Sequence, residues 1–286
     1  MPELVFLKLG GSLITDKTRP YTPRLDVLAH LAAQIAASNV RMVLGHGSGS
    51  FGHTAAKAYR TREGTPTPDP HRPIGHLPQI RTNPGPIFGE AGRRSYWHGF
   101  GEVWFQASAL NRHVIEALHA AGVSTMTFPP SAGVTARDGR ITAWELTPLR
   151  RALEAGLLPV IYGDVAFDEV RGGTILSTEE LFLHLARELR PGRVLLAGLE
   201  EAVWADFPAR RLRVRHVTPG SFDEIRRGVG QAAGADVTGG MESKVKEMLA
   251  LAQEIPGLTA QIFSGEIPGN LAKVLQGEVL GTLISA

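Results

Sequence analysis

The chain opens with Leu4-Val5-Phe6-Leu7-Lys8-Leu9-Gly10-Gly11-Ser12, and Lys17 follows shortly after. An apolar run of strand length ends in two glycines and a serine. A lysine sits inside that run, and a buried lysine requires a charge partner. Glycines at the end of a strand let backbone N–H groups come close to an anion. The stretch reads as a phosphate-holding loop flanked by two cations. Taken alone it also describes a strand with a snorkelling lysine and an ordinary turn, so the reading depends on what surrounds it.

Leu25, Leu28, Leu31, Ala32 and Ile35 recur at helical spacing, and Val40 to Leu44 is the next strand. Strand, helix and strand in that order predict a crossover in a parallel sheet. The second strand runs into Gly45-His46-Gly47-Ser48-Gly49-Ser50-Phe51-Gly52-His53. Glycines and serines so dense form a nest of N–H donors, and a helix beginning there adds the pull of its N-terminus on an anion. His53 closes the nest, placed to donate a hydrogen bond to a phosphate oxygen. Gly47, Gly49 and Gly52 spell the dinucleotide fingerprint, but they follow the second strand rather than the first. About 20 residues on, where that motif needs an acidic residue closing a strand, lies a proline-rich stretch, so a Rossmann dehydrogenase is rejected. A P-loop is rejected too, because no Gly-x4-Gly-Lys-Ser/Thr is present.

Residues 61–96 carry seven prolines and five arginines, Arg62, Arg72, Arg81, Arg93 and Arg94. The prolines predict a long irregular insertion, either a solvated loop or a basic lid. From Phe100 a helical stripe runs through Val103, Ala107, Leu110, Val114 and Leu118. Leu157 to Tyr162 reads as a strand ending at Gly163-Asp164, which places a carboxylate at the edge where open α/β sheets hold ligands. Gly172-Gly173 reads as a hairpin turn. Ser177-Thr178-Glu179-Glu180 precedes a helix, with Ser177 and Glu180 spaced as a capping box. Val237-Thr238-Gly239-Gly240-Met241 leads to Lys244 in the first turn of another helix, a second phosphate-binding pattern.

Composition bounds the rest. The 286 residues are 43% hydrophobic and 20% charged, with a formal net charge of +2 and a pI near 9.0. That suits one large α/β domain or two lobes sharing a sheet. No dense basic stripe interleaved with aromatics argues for nucleic acid. The chain has no cysteine, which removes thiol catalysis and zinc–thiolate sites. No apolar run has the length of a membrane span, and Met-Pro-Glu does not begin a signal peptide; a cytoplasmic protein is expected.

Three lysines, two carboxylates and three glycine motifs suit phosphoryl transfer, which needs positioning and cations more than covalent help. The same residues resemble the amino acid kinase superfamily, and within it the isopentenyl phosphate kinases. The Phe51-Gly52-His53 ending of the second loop is the most discriminating piece. The resemblance implies a three-layer αβα sandwich with a mostly parallel central sheet, assembled as a homodimer. Residues 1–170 would form an acceptor-binding and dimerisation lobe, and residues 171–286 a nucleotide-binding lobe. The implied reaction is ATP-dependent phosphorylation of isopentenyl phosphate, with Mg²⁺ bridging the nucleotide phosphates and no metal held by protein ligands alone.

Carried over by position, Lys8, Gly10, Gly11 and Ser12 would wrap the ATP phosphates, with Ser48, Gly240 and Lys244 also on the nucleotide. Lys17 would stabilise the transferring group. Gly47, Gly49, His53, Gly163 and Asp164 would serve the acceptor, and Glu179 would orient the lysines.

Three departures stand out. Gly47-Ser48-Gly49-Ser50 replaces a run of glycines, Glu179 stands where relatives hold aspartate, and Ala197 to Trp204 lacks the usual Thr-Asp-Val-Asp-Gly-Val-Tyr. Two further readings stay open: a kinase of another small acceptor such as fosfomycin, and a nucleotide-binding regulator without catalysis.

Overall fold

In the computed structural model, which describes residues 3–64, 93–229 and 240–286, the opening run forms strand β1 (Leu4–Leu9), buried along its whole length. Strand side chains alternate between faces. Leu4 and Phe6 therefore enter one hydrophobic core, and Val5, Leu7 and Leu9 enter another. A strand apolar on both faces has to be covered by helices on both. By the same alternation Lys8 lies on the Phe6 face.

The first half continues with α1 (Gly11–Ile14), α2 (Leu25–Ala36), β2 (Arg41–His46), α3 (Gly49–Tyr59), α4 (Arg93–Ala120), β3 (Thr125–Thr127) and α5 (Pro130–Gly133). Next come β4 (Val134–Arg137), β5 (Arg140–Trp144), α6 (Thr147–Glu154), β6 (Leu158–Tyr162), β7 (Asp164–Asp168), β8 (Gly172–Leu176) and α7 (Thr178–Leu189). The chain ends through β9 (Arg193–Gly198), β10 (Val203–Trp204), β11 (Arg213–Val214), β12 (His216–Val217), α8 (Pro219–Val229), α9 (Gly240–Glu254), β13 (Thr259–Ser264), α10 (Asn270–Leu275) and β14 (Thr282–Ile284).

Among the described residues the main sheet has eight strands in the order β12-β14-β13-β9-β1-β2-β6-β3. Its pairings are parallel except for β13 with β14. Strands that precede α7 in the chain (β2, β6 and β3) lie to one side of β1 and strands that follow it (β9, β13, β14 and β12) to the other. The order thus reverses at β1, and open α/β sheets bind ligands outside the C-terminal ends of strands at such a switch point. Helices α6, α7 and α9 cover the Phe6 face through Leu149, Phe182, Leu185, Val245 and Met248. Helices α2, α4 and α10 cover the other through Leu31, Leu110, Val114, Leu118 and Leu271. The result is the three-layer αβα sandwich with a mostly parallel sheet. A smaller sheet, β5-β4-β7-β8, stands beside it.

Several expectations need correction. Helix α4 begins at Arg93 rather than near Phe100, and Thr61–Glu63 forms a single 3-10 turn, so both ends of the 61–96 segment are regular. Residues 65–92 of that segment lie outside the described residues, as do Val237, Thr238 and Gly239 of the late glycine motif. Gly172 and Gly173 open β8 rather than make its turn. The turn is built by Asp168, whose buried carboxylate accepts backbone N–H groups from Asp138, Gly139, Val170 and Arg171 at 2.7–3.0 Å. Gly173 is glycine for a packing reason: a Cβ there would stand 2.7 Å from the Phe100 ring.

Candidate active site

The glycine loop after β1 and the one after β2 are in direct backbone contact. A Cβ on Gly11 would meet the Gly49 nitrogen at 2.5 Å, and one on Gly47 would meet the Gly11 nitrogen at 2.9 Å. Gly49 also adopts φ +50°, which an L side chain resists. Ser48 instead has φ −77° and ψ −11°, an ordinary helical conformation, so the serine costs the loop no strain. Thr15 ties the loops together: its buried hydroxyl donates to the Gly11 carbonyl at 2.7 Å and accepts from the Ser50 N–H at 3.0 Å. Nothing in the sequence singles out Thr15, because a threonine after a short apolar turn carries no motif.

Beneath the loops, Lys8 is only 8% exposed and forms an ion pair with Glu179 from the first turn of α7. Gly45, paired in register with Lys8, makes room for that helix: a Cβ there would meet the Thr178 and Phe182 side chains at 2.6 and 2.8 Å. Burial would raise the Glu179 carboxyl, but Lys8 and Lys244 outweigh it and hold the group below its ordinary value. Glu179 is therefore an anion facing two of the three expected lysines. Glu180 does structural work, completing the capping box with Ser177 and pairing with Arg62 at 3.1 Å. Lys17 is carried by a turn in which Asp16 accepts from the Thr18 N–H and from Arg19 Nε, both at 2.8 Å.

These groups converge on one cavity of about 910 Å³. Its wall includes Lys8, Gly10, Gly11, Ser12 and Lys17 from the first loop, and Gly47, Ser48, Gly49 and His53 from the second. Gly163, Glu179, Gly240 and Lys244 complete the set. Its aliphatic lining includes Ala56, Val103 and Ile175, which belong to one apolar cluster, and its aromatic lining is Trp204 and Phe207. Asp164 is the exception among the expected residues. It is fully buried and does not line the cavity; the Ser131 hydroxyl and N–H face its carboxyl instead. Burial, only partly offset by Ser131 and the Val165 N–H, pushes it up to about 6. The structure thus places Asp164 behind Gly163, buried rather than on the cavity wall with the other expected residues.

His46 carries no sequence signal for its role. It stacks on Tyr162 with ring centroids 5.3 Å apart, and its ring nitrogens lie 3.2 Å from Asn111 Oδ1 and from the Gly47 carbonyl. Full burial pulls its pKa down to about 4, so at neutral pH it is an uncharged strut under the second loop. Among the described residues no group of three or more His, Cys, Asp or Glu could hold a metal ion.

A cleft built of two interlocked glycine loops and converging lysines at a switch point is the signature of a phosphoryl-handling α/β protein, and the chain belongs to the amino acid kinase family, whose sequence model matches residues 3–264. Its relatives are more particular. Isopentenyl phosphate kinase of Methanothermobacter thermautotrophicus is 33% identical over 267 residues, covering 91% of each chain. Isopentenyl phosphate kinase of Haloferax volcanii is 31% identical over 264 residues, again covering 91% of each. A solved isopentenyl phosphate kinase structure superposes with a TM-score of 0.77 at 29% identity, covering 99% of this chain and all of the other.

Proposed function

We propose that the chain transfers the γ-phosphoryl group of ATP to isopentenyl phosphate, giving isopentenyl diphosphate and ADP. An oxygen of the acceptor phosphate attacks the γ-phosphorus, and the bond to the β-bridging oxygen breaks in line. The observation that carries this reading is the cleft in which His53, Lys8, Lys17 and Lys244 converge beside two interlocked glycine loops. His53 would donate to the acceptor phosphate, with Gly47, Gly49 and Gly163 around it and the isopentenyl tail against Val103 and Ile175. Lys17 would follow the charge that spreads over the transferring oxygens. Glu179 would hold Lys8 and Lys244 in register for the β- and γ-phosphates, and Gly10, Gly11, Ser12, Ser48 and Gly240 would offer close backbone approach.

Mg²⁺ supplied with ATP offsets phosphate charge. The carboxylate deepest in this cleft is engaged by lysines, so the ion fits as a passenger on the nucleotide rather than as a protein-caged metal. On this reading residues 1–170 supply most of the acceptor side and residues 171–286 much of the donor side, and two copies pair as a homodimer in the cytoplasm.

The test is ADP formation with isopentenyl phosphate, dimethylallyl phosphate and fosfomycin in parallel. We expect kcat/KM to be highest for isopentenyl phosphate. Preference for fosfomycin would favour the other acceptor class, and ATP binding without turnover would favour a regulator.

A further inference from the structure

The aromatic lining of the cleft holds a charge that a nucleotide should not tolerate. Glu200 lines the cavity beside Trp204 and Phe207. A bare carboxylate there would repel a triphosphate. Its two oxygens accept three hydrogen bonds. Arg210 grips it with two bonds, Nη2 to Oε1 at 2.6 Å and Nε to Oε2 at 2.9 Å, and the Trp204 indole N–H donates to Oε2 at 2.9 Å. The loop between β10 and β11 is shaped to deliver that guanidinium. Asp206 accepts from the Arg211 and Leu212 N–H groups at 3.0–3.1 Å, Arg210 takes φ +54°, and its guanidinium lies 4.7 Å from the Phe207 ring centre. Arg213, register partner of Trp204, packs over the indole from the next strand.

We propose that Arg210 and Glu200 form a latch at the donor end of the cleft: Arg210 masks the Glu200 charge from the incoming nucleotide, and Glu200 fixes the plane of Trp204, against which the nucleobase packs. Arg210 and Glu200 are positioning residues; Trp204 and Phe207 offer the contact surface. A guanidinium suits the task because its planar fork satisfies both carboxylate oxygens while staying charged. This inference rests on the proposal that the cleft binds ATP, and it adds a division of labour within residues 200–213.

The experiment measures ADP dissociation constants by calorimetry for the wild type, Trp204→Ala, Arg210→Ala and the Glu200→Gln/Arg210→Ala double variant. KM for isopentenyl phosphate is measured alongside. Loss of a base-stacking ring is expected to weaken ADP about tenfold or more. Arg210→Ala is expected to weaken ADP about threefold or more, by uncovering the carboxylate, with an effect that shrinks at high salt. The double variant is expected to recover most of that loss, since the charge is gone and the amide carbonyl introduced at position 200 still accepts from Trp204. Acceptor KM is expected to stay near the wild-type value throughout. Both partners are partly exposed, so thermal unfolding should change little.

A double variant as weak as Arg210→Ala would overturn the masking role. Unchanged ADP affinity in Trp204→Ala would overturn the base contact. A wild type that binds no ADP would fail the proposed function itself and the latch with it, whereas a wild type that turns over beside indifferent variants would fail the latch alone.

Discussion

At the scale of single residues, the proposed function gives Lys17 and His53 different work, and kinetics should separate them. Lys17 is exposed at the cleft, held by the Asp16 turn rather than by a buried partner. Its charge matters most where charge develops. Lys17→Ala is expected to lower kcat by about 10²–10³-fold with little change in either KM. His53 closes the loop that would hold the acceptor phosphate already in the ground state. Its removal should cost a charge-assisted hydrogen bond, and acceptor KM in His53→Ala should rise about tenfold or more. Initial-rate kinetics with both substrates varied checks each expectation; equal losses in kcat for the two variants, with acceptor KM unmoved, would contradict the assignment. Glu179 shows why aspartate is dispensable here: α7 brings the longer carboxylate onto Lys8 without leaving either group exposed.

At the scale of elements, one hydroxyl reinforces the backbone contact between the loops. Thr15→Val keeps the shape of the side chain but strands the Ser50 N–H, while the Gly11 carbonyl keeps only the Thr15 N–H at 3.0 Å. We expect a loss of about 1–3 kcal/mol, read by urea unfolding, together with a fall in kcat because both loops lose their tie. The physics of local sequence explains what is and is not legible here. The Lys8 strand, the glycine nest ending at His53 and the Ser177–Glu180 capping box announce themselves through periodicity, φ requirements and cap spacing. Thr15, His46 and the Asp168 corner do not. Each acts through hydrogen bonds or stacking between segments far apart in the chain, as in Ser50 to Thr15 and Asn111 to His46. The start of α4 at Arg93 is hidden for another reason: Gly99 and Gly101 read as helix breakers, although Tyr96 and Phe100 extend the Val103 stripe at helical spacing and pack against Ala55 and Val165 from other elements.

At the scale of the whole molecule, two buried groups set opposing responses to acid. His46 has its pKa depressed from 6.5 to about 4, so the stability it contributes is present above 6.5 and is lost as pH falls toward 4. Asp164 is raised from 3.8 to about 6, so its contribution is present below 3.8 and is lost as pH rises toward 6. The two slopes oppose each other over the same window. Asp164→Asn removes one of them. Its unfolding free energy relative to the wild type is expected to swing by about 3 kcal/mol in the variant's favour between pH 3.8 and 6, measured by denaturant titration across that range. A pH-independent difference would mean that the Asp164 carboxyl titrates normally.

The backbone contact between Gly11, Gly47 and Gly49 carries a further consequence. Where two main chains touch with no side chain between them, the separation of the two anion cradles is a fixed gauge rather than an adjustable one. On the proposed reading, reactants could then be swapped at either tail without altering the stride between donor and recipient phosphorus. Diversification of this scaffold should therefore proceed from the periphery inward, with the three glycines as the last positions to change.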